Sequence, residues 1–270
     1  MTRMIVAVAV ALLLAAPARS ADAQSAGVRA VLSRPIERIQ TADYRATGHL
    51  VRIDAAGKRL SFPFTLKAHW FPGVLRVWCE IGKPGQASGA AIVHILLEIR
   101  PNGQDSIQIA HPGDKSPIAL PFEKWIDGLE GGVGVADSSG SAFSDEDLLE
   151  SQYFWASQTI LGKAKFGARD CDLLKSAPGA SDRTHYAEIR TWLDHTIGYP
   201  VYVEKTLKAK GTVKEFTYFG LRQVGGVWSA SQVEGKIRGQ AGSTLLVFDR
   251  GTTKANLGLK DFSPEQLTRF

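Results

Sequence analysis

The side chains that could do chemistry are dispersed. The 270-residue chain carries six histidines, two cysteines and 27 acidic residues. No G-x-S-x-G elbow, H-E-x-x-H helix, Walker loop or zinc-ligand cluster occurs among them. His69 and His94 fall on the more polar faces of two expected strands and would be neighbours if those strands pair. A metal or acid–base pair there competes with the plainer reading of two solvated imidazoles. Asp145, Glu146 and Asp147 follow Ser144 at an expected helix start, where a serine cap and the positive end of the helix dipole account for them. A calcium loop would need alternating oxygen ligands and a turn glycine. Asp170 with Asp172, and Asp194 with His195, are too short as motifs to imply catalysis. Gly132 and Gly134 give the 131–141 loop a superficial likeness to a phosphate loop, but Asp137 stands where a third glycine belongs. The expectation is therefore no catalytic residue, no metal site and no cofactor.

Cys79 and Cys171 lack a C-x-x-C partner, which argues against a metal site. In an oxidising compartment a Cys79–Cys171 disulfide would close a long loop, worth about 4–5 kcal/mol in the chain-entropy model. Two separately buried thiols are the alternative, and both readings stand.

What is unusual is the apolar load of the strands. Leu60, Phe62, Phe64, Leu66, Ala68 and Trp70 alternate with polar residues at the period of two that a half-buried strand needs. Leu75, Val77, Cys79 and Ile81 repeat the pattern over 74–81, and Val93, Ile95, Leu97 and Ile99 over 90–100. Burying Phe62, Phe64, Leu66 and Trp70 contributes on the order of 6–12 kcal/mol. A curved sheet packed on its own helices would use these residues as ordinary core. A concave sheet too wide for its helices would instead leave an apolar cavity. Phe62, Phe64, Leu66, Trp70, Leu75, Val77, Ile95 and Leu97 are the candidate lining of that cavity.

The elements that must position these residues read as an antiparallel meander. A short helix over 26–40 is expected to break or restart at Pro35. Strands follow at 44–53, 60–70, 74–81, 90–100 and near 107–109, with Pro63 arguing for an edge or a bulge in the second. Residues 121–129 read as a helical turn or two, and a helix is expected from Ser144 to about Tyr153. Strands resume at 154–161 and 164–176, with Gly162 marking the turn between them. A hairpin spans His185–Glu204, and further strands occupy 212–223, 227–238 and 243–250. Short turns between successive strands exclude βαβ units. The reading is one mainly β (α+β) domain: a large antiparallel sheet with a few helices.

Arg3, an apolar run over 4–16 and the small residues Ala21-Asp22-Ala23 make a secretory signal peptide, with cleavage expected after Ala23 and a single domain over 24–270. The apolar run is shorter than the roughly 20 residues of a membrane span. No cysteine follows the cleavage point closely, the first being Cys79, so a lipid anchor is not expected and the mature protein is read as periplasmic. The formal charge is +5, and removing residues 1–23 lowers it by one unit. Basic residues are scattered, which argues against nucleic acid and allows transient contact with an anionic membrane surface.

An ordered series of residues resembles the LolA-like, outer-membrane lipoprotein-sorting family. It runs Phe143-Ser144 to Asp147-Leu148; Leu161-Gly162, Gly167 and Cys171; Tyr186 ahead of Trp192-Leu193-Asp194; Pro200 and Glu204; Gly211; Gly226 and Trp228; Thr244 and Leu246; and Phe262-Ser263 with Leu267. Gly89 before a hydrophobic strand fits the same pattern, and the series covers about residues 44–270. The resemblance implies an unclosed β-barrel with helices over its open face and a cavity for lipid or the acyl chains of a lipoprotein. It carries no catalytic residue. Proteins of this kind also serve as envelope-stress sensors, so an interaction module with a filled core, meeting an envelope transport protein, is the alternative; a secreted hydrolase is a third.

Overall fold

The computed structural model describes residues 19–85, 91–127 and 142–270. A long helix, α1 (Arg19–Gln40), leads into β1 (Asp43–Ile53), β2 (Arg59–Phe71), β3 (Val74–Gly82), β4 (Ala91–Ile99), β5 (Ser106–Ala110) and β6 (Ile118–Ala119). A second run holds β7 (Ser157–Phe166), β8 (Arg169–Ala177), β9 (Tyr186–Asp194), β10 (Pro200–Leu207) and β11 (Val213–Phe219). After the small hairpin β12 (Arg222–Val224) and β13 (Val227–Ser229) come β14 (Gln232–Ile237), β15 (Ser243–Thr253) and the short helix α2 (Pro264–Leu267).

Thirteen strands form one antiparallel sheet in the order β6-β5-β4-β3-β2-β1-β15-β14-β11-β10-β9-β8-β7. Two meanders are thus joined by the last strands of the chain: β15 pairs with β1 on one side and β14 on the other. The end strands β6 and β7 are not paired with each other, so the barrel is unclosed. Register places the alternating apolar residues in rows across the inner face. Ala46 faces Leu66, Leu66 faces Cys79, and Cys79 faces Ile95. The next row runs Ala68, Val77, Leu97 and Ile107.

Several expectations are corrected. Helix α1 continues through Pro35: Leu32 and Ile39 are buried in the main core with Ile36 packed against it, and that apolar stripe outweighs the lost hydrogen bond. Strand β2 is central, not an edge. Pro63 is accommodated because pairing with β3 begins only at Phe64, and Gly82 has no Cβ where one would meet the Pro63 ring at 2.8 Å. Gly162 is a bulge inside β7, and the turn comes later at Gly167, where φ is +57°. The helix expected from Ser144 is two 3-10 turns, Asp145–Leu148 and Ser151–Phe154. The segment 121–129 keeps the expected single turn, a 3-10 turn at Phe122–Lys124 after Pro121, within its described residues 121–127. The 131–141 loop, Gly89 and residues 1–18 of the signal peptide expected over 1–23 lie outside the described residues; its residues 19–23 fall at the start of α1.

The convex side of β3 and β4 has its own small core. Trp78, Leu96 and Ala110 are covered by Leu257, Phe262 and Leu267 from the C-terminal segment.

Candidate ligand site

The eight candidate lining residues come together on the concave face. Phe62, Phe64, Leu66, Leu75, Val77, Ile95 and Leu97 belong to one continuous buried cluster, and half-buried Trp70 packs against it. Helix α1 lies over this face with Val28, Val31, Leu32, Ile36 and Ile39 turned inward. It is tethered by an ion pair from Arg38 to Glu150 at 2.9 Å and by a hydrogen bond from Arg34 to the Thr196 carbonyl. Next to it, Trp70 stacks on Phe154 of the second 3-10 turn, ring centroids 6.4 Å apart.

Of the two readings of the cysteines, the structure has the separately buried thiols. Cys79 and Cys171 are free and separately buried. Cys79 lies on the inner face of β3 between Leu66 and Ile95, whereas Cys171 lies on β8 opposite Asp194 and Ala164. Burial pushes the Cys79 thiol up to about 12, which keeps it protonated and unreactive.

His69 and His94 are not brought together. His69 faces Arg76 across the β2–β3 ladder, and His94 faces Glu80 across β3–β4. His69 meets Asp43 at 3.2 Å. His94 is 1% exposed, not solvated as expected. Its ring nitrogens meet the Leu267 carbonyl at 2.8 Å and Glu80 at 3.1 Å, and its ring stacks on Phe270. It anchors the C-terminal segment to the convex face. Among the described residues no group of three or more His, Cys, Asp or Glu side chains could hold a metal ion.

Where a serine-capped helix start was expected, the acidic cluster after Ser144 lies in a buried 3-10 turn: Asp145, Glu146 and Asp147 are all buried. Asp147 is held by Lys214 at 2.7 Å and Lys205 at 3.1 Å, and accepts a hydrogen bond from the Tyr186 hydroxyl at 2.6 Å. Its other bonds come from the Ser144 backbone N–H and hydroxyl, which close a capping box. Lys205 and Lys214 are directly opposed on β10 and β11 and both point inward. Burial works against the Asp147 charge, but the two ammonium groups outweigh it and hold the carboxyl well below the usual range. Glu146 accepts from the Thr184 hydroxyl at 2.5 Å and the His185 backbone at 2.9 Å, and meets His185 Nδ1 at 2.7 Å. Phe143 fits beside Phe216 because Gly235 lacks a Cβ that would stand 2.9 Å from the Phe143 ring. The segment 142–154 is thereby pinned across the inner face of the second meander. Phe143, Ser144 and Asp147 are residues of the resemblance; the lysines that receive Asp147 gave no sequence signal of their own.

A third group sits where α1 meets this segment. Arg38 pairs with Glu150 and lies over the Tyr199 ring, 5.1 Å from its centroid. Tyr44, Tyr153 and Tyr218 share the same electrostatic neighbourhood. Burial, and after it Glu150, raises the phenols of Tyr44, Tyr153 and Tyr218, so they stay protonated donors. Tyr44 and Tyr218 nevertheless retain accessible surface.

The overall fold recurs in solved structures. A domain described as an outer-membrane lipoprotein-sorting protein from Vibrio parahaemolyticus superposes with TM-score 0.74 at 18% identity, covering 91% of this chain and all of that one. A DUF1329 family protein from Desulfovibrio piger gives 0.69 at 15% identity, over 89% of this chain and 98% of its own. A LolA superfamily protein from Nitrosomonas europaea gives 0.61 at 12% identity, over 89% and 99%. The chain shares the fold of these three structures. A family model described as an uncharacterized protein matches residues 136–269, just under half of the chain. No curated protein matches it in sequence. The residue series that resembled the lipoprotein-sorting family thus coincides with the fold of these structures: an open barrel whose inner face is apolar and whose cover includes a helix.

Proposed function

We propose that the protein is an exported, periplasmic carrier that holds acyl chains of a lipid or lipoprotein between the concave sheet and α1, without catalysing a covalent step. The observation that carries this is the continuous apolar inner face from Phe62 to Leu97, covered by a helix with few polar tethers. Each methylene withdrawn from water contributes about 0.8 kcal/mol, so a single long chain can offset the displacement of part of α1. Tyr44 and Tyr218 support the same reading: they are surrounded by protein, yet keep surface that a ligand could cover. Cleavage after Ala23 would leave α1 beginning near Gln24.

An interaction module with a filled core is the second reading. It is favoured by the burial of seven of the eight lining candidates against the protein's own side chains. Native mass spectrometry of gently purified protein, followed by titration with a fluorescent fatty-acid analogue, separates the two. A co-purifying lipid that the analogue displaces is expected of the carrier. A protein empty as isolated that also ignores the analogue would establish the filled-core module instead.

A further inference from the structure

Apart from the Asp147–Lys205–Lys214 group, the inner face also turns polar where α1 reaches the 3-10 turn at Ser151–Phe154. There Tyr153 is 2% exposed and its hydroxyl has no hydrogen-bond partner. The Gln152 side chain bears on this hydroxyl, and its own Oε1 is without a partner. Arg38 spends Nη2 on Glu150, but its Nε, also buried, donates to nothing. Buried donors left open in a native interior call for an explanation, and here two converge from different elements beside the same ion pair.

Resting on the carrier reading, we propose that Tyr153 hydroxyl and Arg38 Nε form a polar receptor for one neutral acyl carbonyl, the ester or amide oxygen that joins a fatty chain to its head. Both groups are donors, so the missing partner is an acceptor. Glu150 already balances the Arg38 charge at 2.9 Å, so a second carboxylate placed there would meet a like charge, whereas a carbonyl would not. The receptor adjoins the lipid face through Tyr44, which stands opposite Ala68 on the inner face of β1. A chain lying along Leu66, Cys79 and Ile95 would present its head linkage to these donors.

The test is competition against N-phenylnaphthylamine by methyl laurate, lauric acid and dodecane, in wild type and in Tyr153→Phe. The Phe variant keeps the ring and removes only a hydroxyl that has no partner, so its thermal stability is expected to equal or exceed wild type. Wild type should prefer the ester to the acid. Tyr153→Phe should weaken the ester about tenfold and leave dodecane unchanged. Arg38→Lys, which keeps the charge beside Glu150 and loses Nε, should weaken the ester likewise and serves if the Phe variant does not fold. Equal ester affinity in wild type and variants, or a wild-type preference for the acid, overturns the receptor while the carrier reading stands. A wild type that binds none of the probes overturns the carrier reading itself, and the receptor with it.

Discussion

Asp147 carries one negative charge between two ammonium groups, all three out of water. A buried ion pair is weak support for stability as such, because desolvation opposes the attraction; removing one partner is another matter, since it strands the rest. Asp147→Asn should therefore cost about 3–5 kcal/mol, read from guanidinium denaturation near neutral pH. The acid side has a definite sign. The carboxyl is held below its ordinary 3.8 in the folded state, so between the two values the unfolded chain binds more protons. Stability from this group is present above about pH 4 and is lost as pH falls. The Asn variant should show a correspondingly flatter acid limb. Replacing the triad together, Asp147→Leu with Lys205→Met and Lys214→Met, should recover most of the loss. A loss below about 1 kcal/mol in Asp147→Asn would mean that water or a nearby acid serves the lysines. The serine and the acids of this site were legible as a helix start, because serine is a good N-cap and acids suit the first turn. The lysines were not, because each is one polar residue in an apolar alternation, and only register sets them opposite each other.

At the scale of elements, periodicity revealed the strands and said little about their ends. The alternation of 60–70, 74–81 and 91–99 put the lining candidates on one face, and pairing placed them in rows. Pro35 and Gly162 misled for opposite reasons. Packing of α1 on the sheet overrode a helix breaker, while Gly162 gave the backbone freedom that β7 used for a bulge with φ +134°, not for a turn. The covering segment 142–154 depends on another glycine. A Cβ at Gly235 would meet Phe143 at 2.9 Å and Phe216 at 3.1 Å. Gly235→Ala should thus destabilise by about 1–3 kcal/mol through overpacking. Phe143→Leu in that background should return part of the loss, giving a coupling of at least about 0.5 kcal/mol in a double-mutant cycle. Additive losses would show that Phe143 can swing aside freely and is not what pins the segment.

The whole molecule has two cores on opposite sides of one sheet. The concave core is roofed by α1 and the 142–154 segment; the convex one is closed by the C-terminal segment through Phe262 and Leu267. The second could not be read locally, since the residues that bury His94 and Trp78 lie more than 160 positions further along the chain, as the His94–Leu267 separation of 173 shows. This arrangement lets stability and ligand binding be separated. Leu267 is fully buried, so Leu267→Ala should cost about 2–5 kcal/mol. Its carbonyl would still accept from His94, and the concave face would be untouched. The expected result is a lowered melting temperature with unchanged affinity for an acyl probe measured well below it. An affinity that falls together with stability would mean that the convex clamp sets the curvature of the sheet, and hence the spacing between the concave face and α1. The two cores would then be one mechanical unit, and a partner gripping the C-terminal segment could loosen the hold on the chain inside.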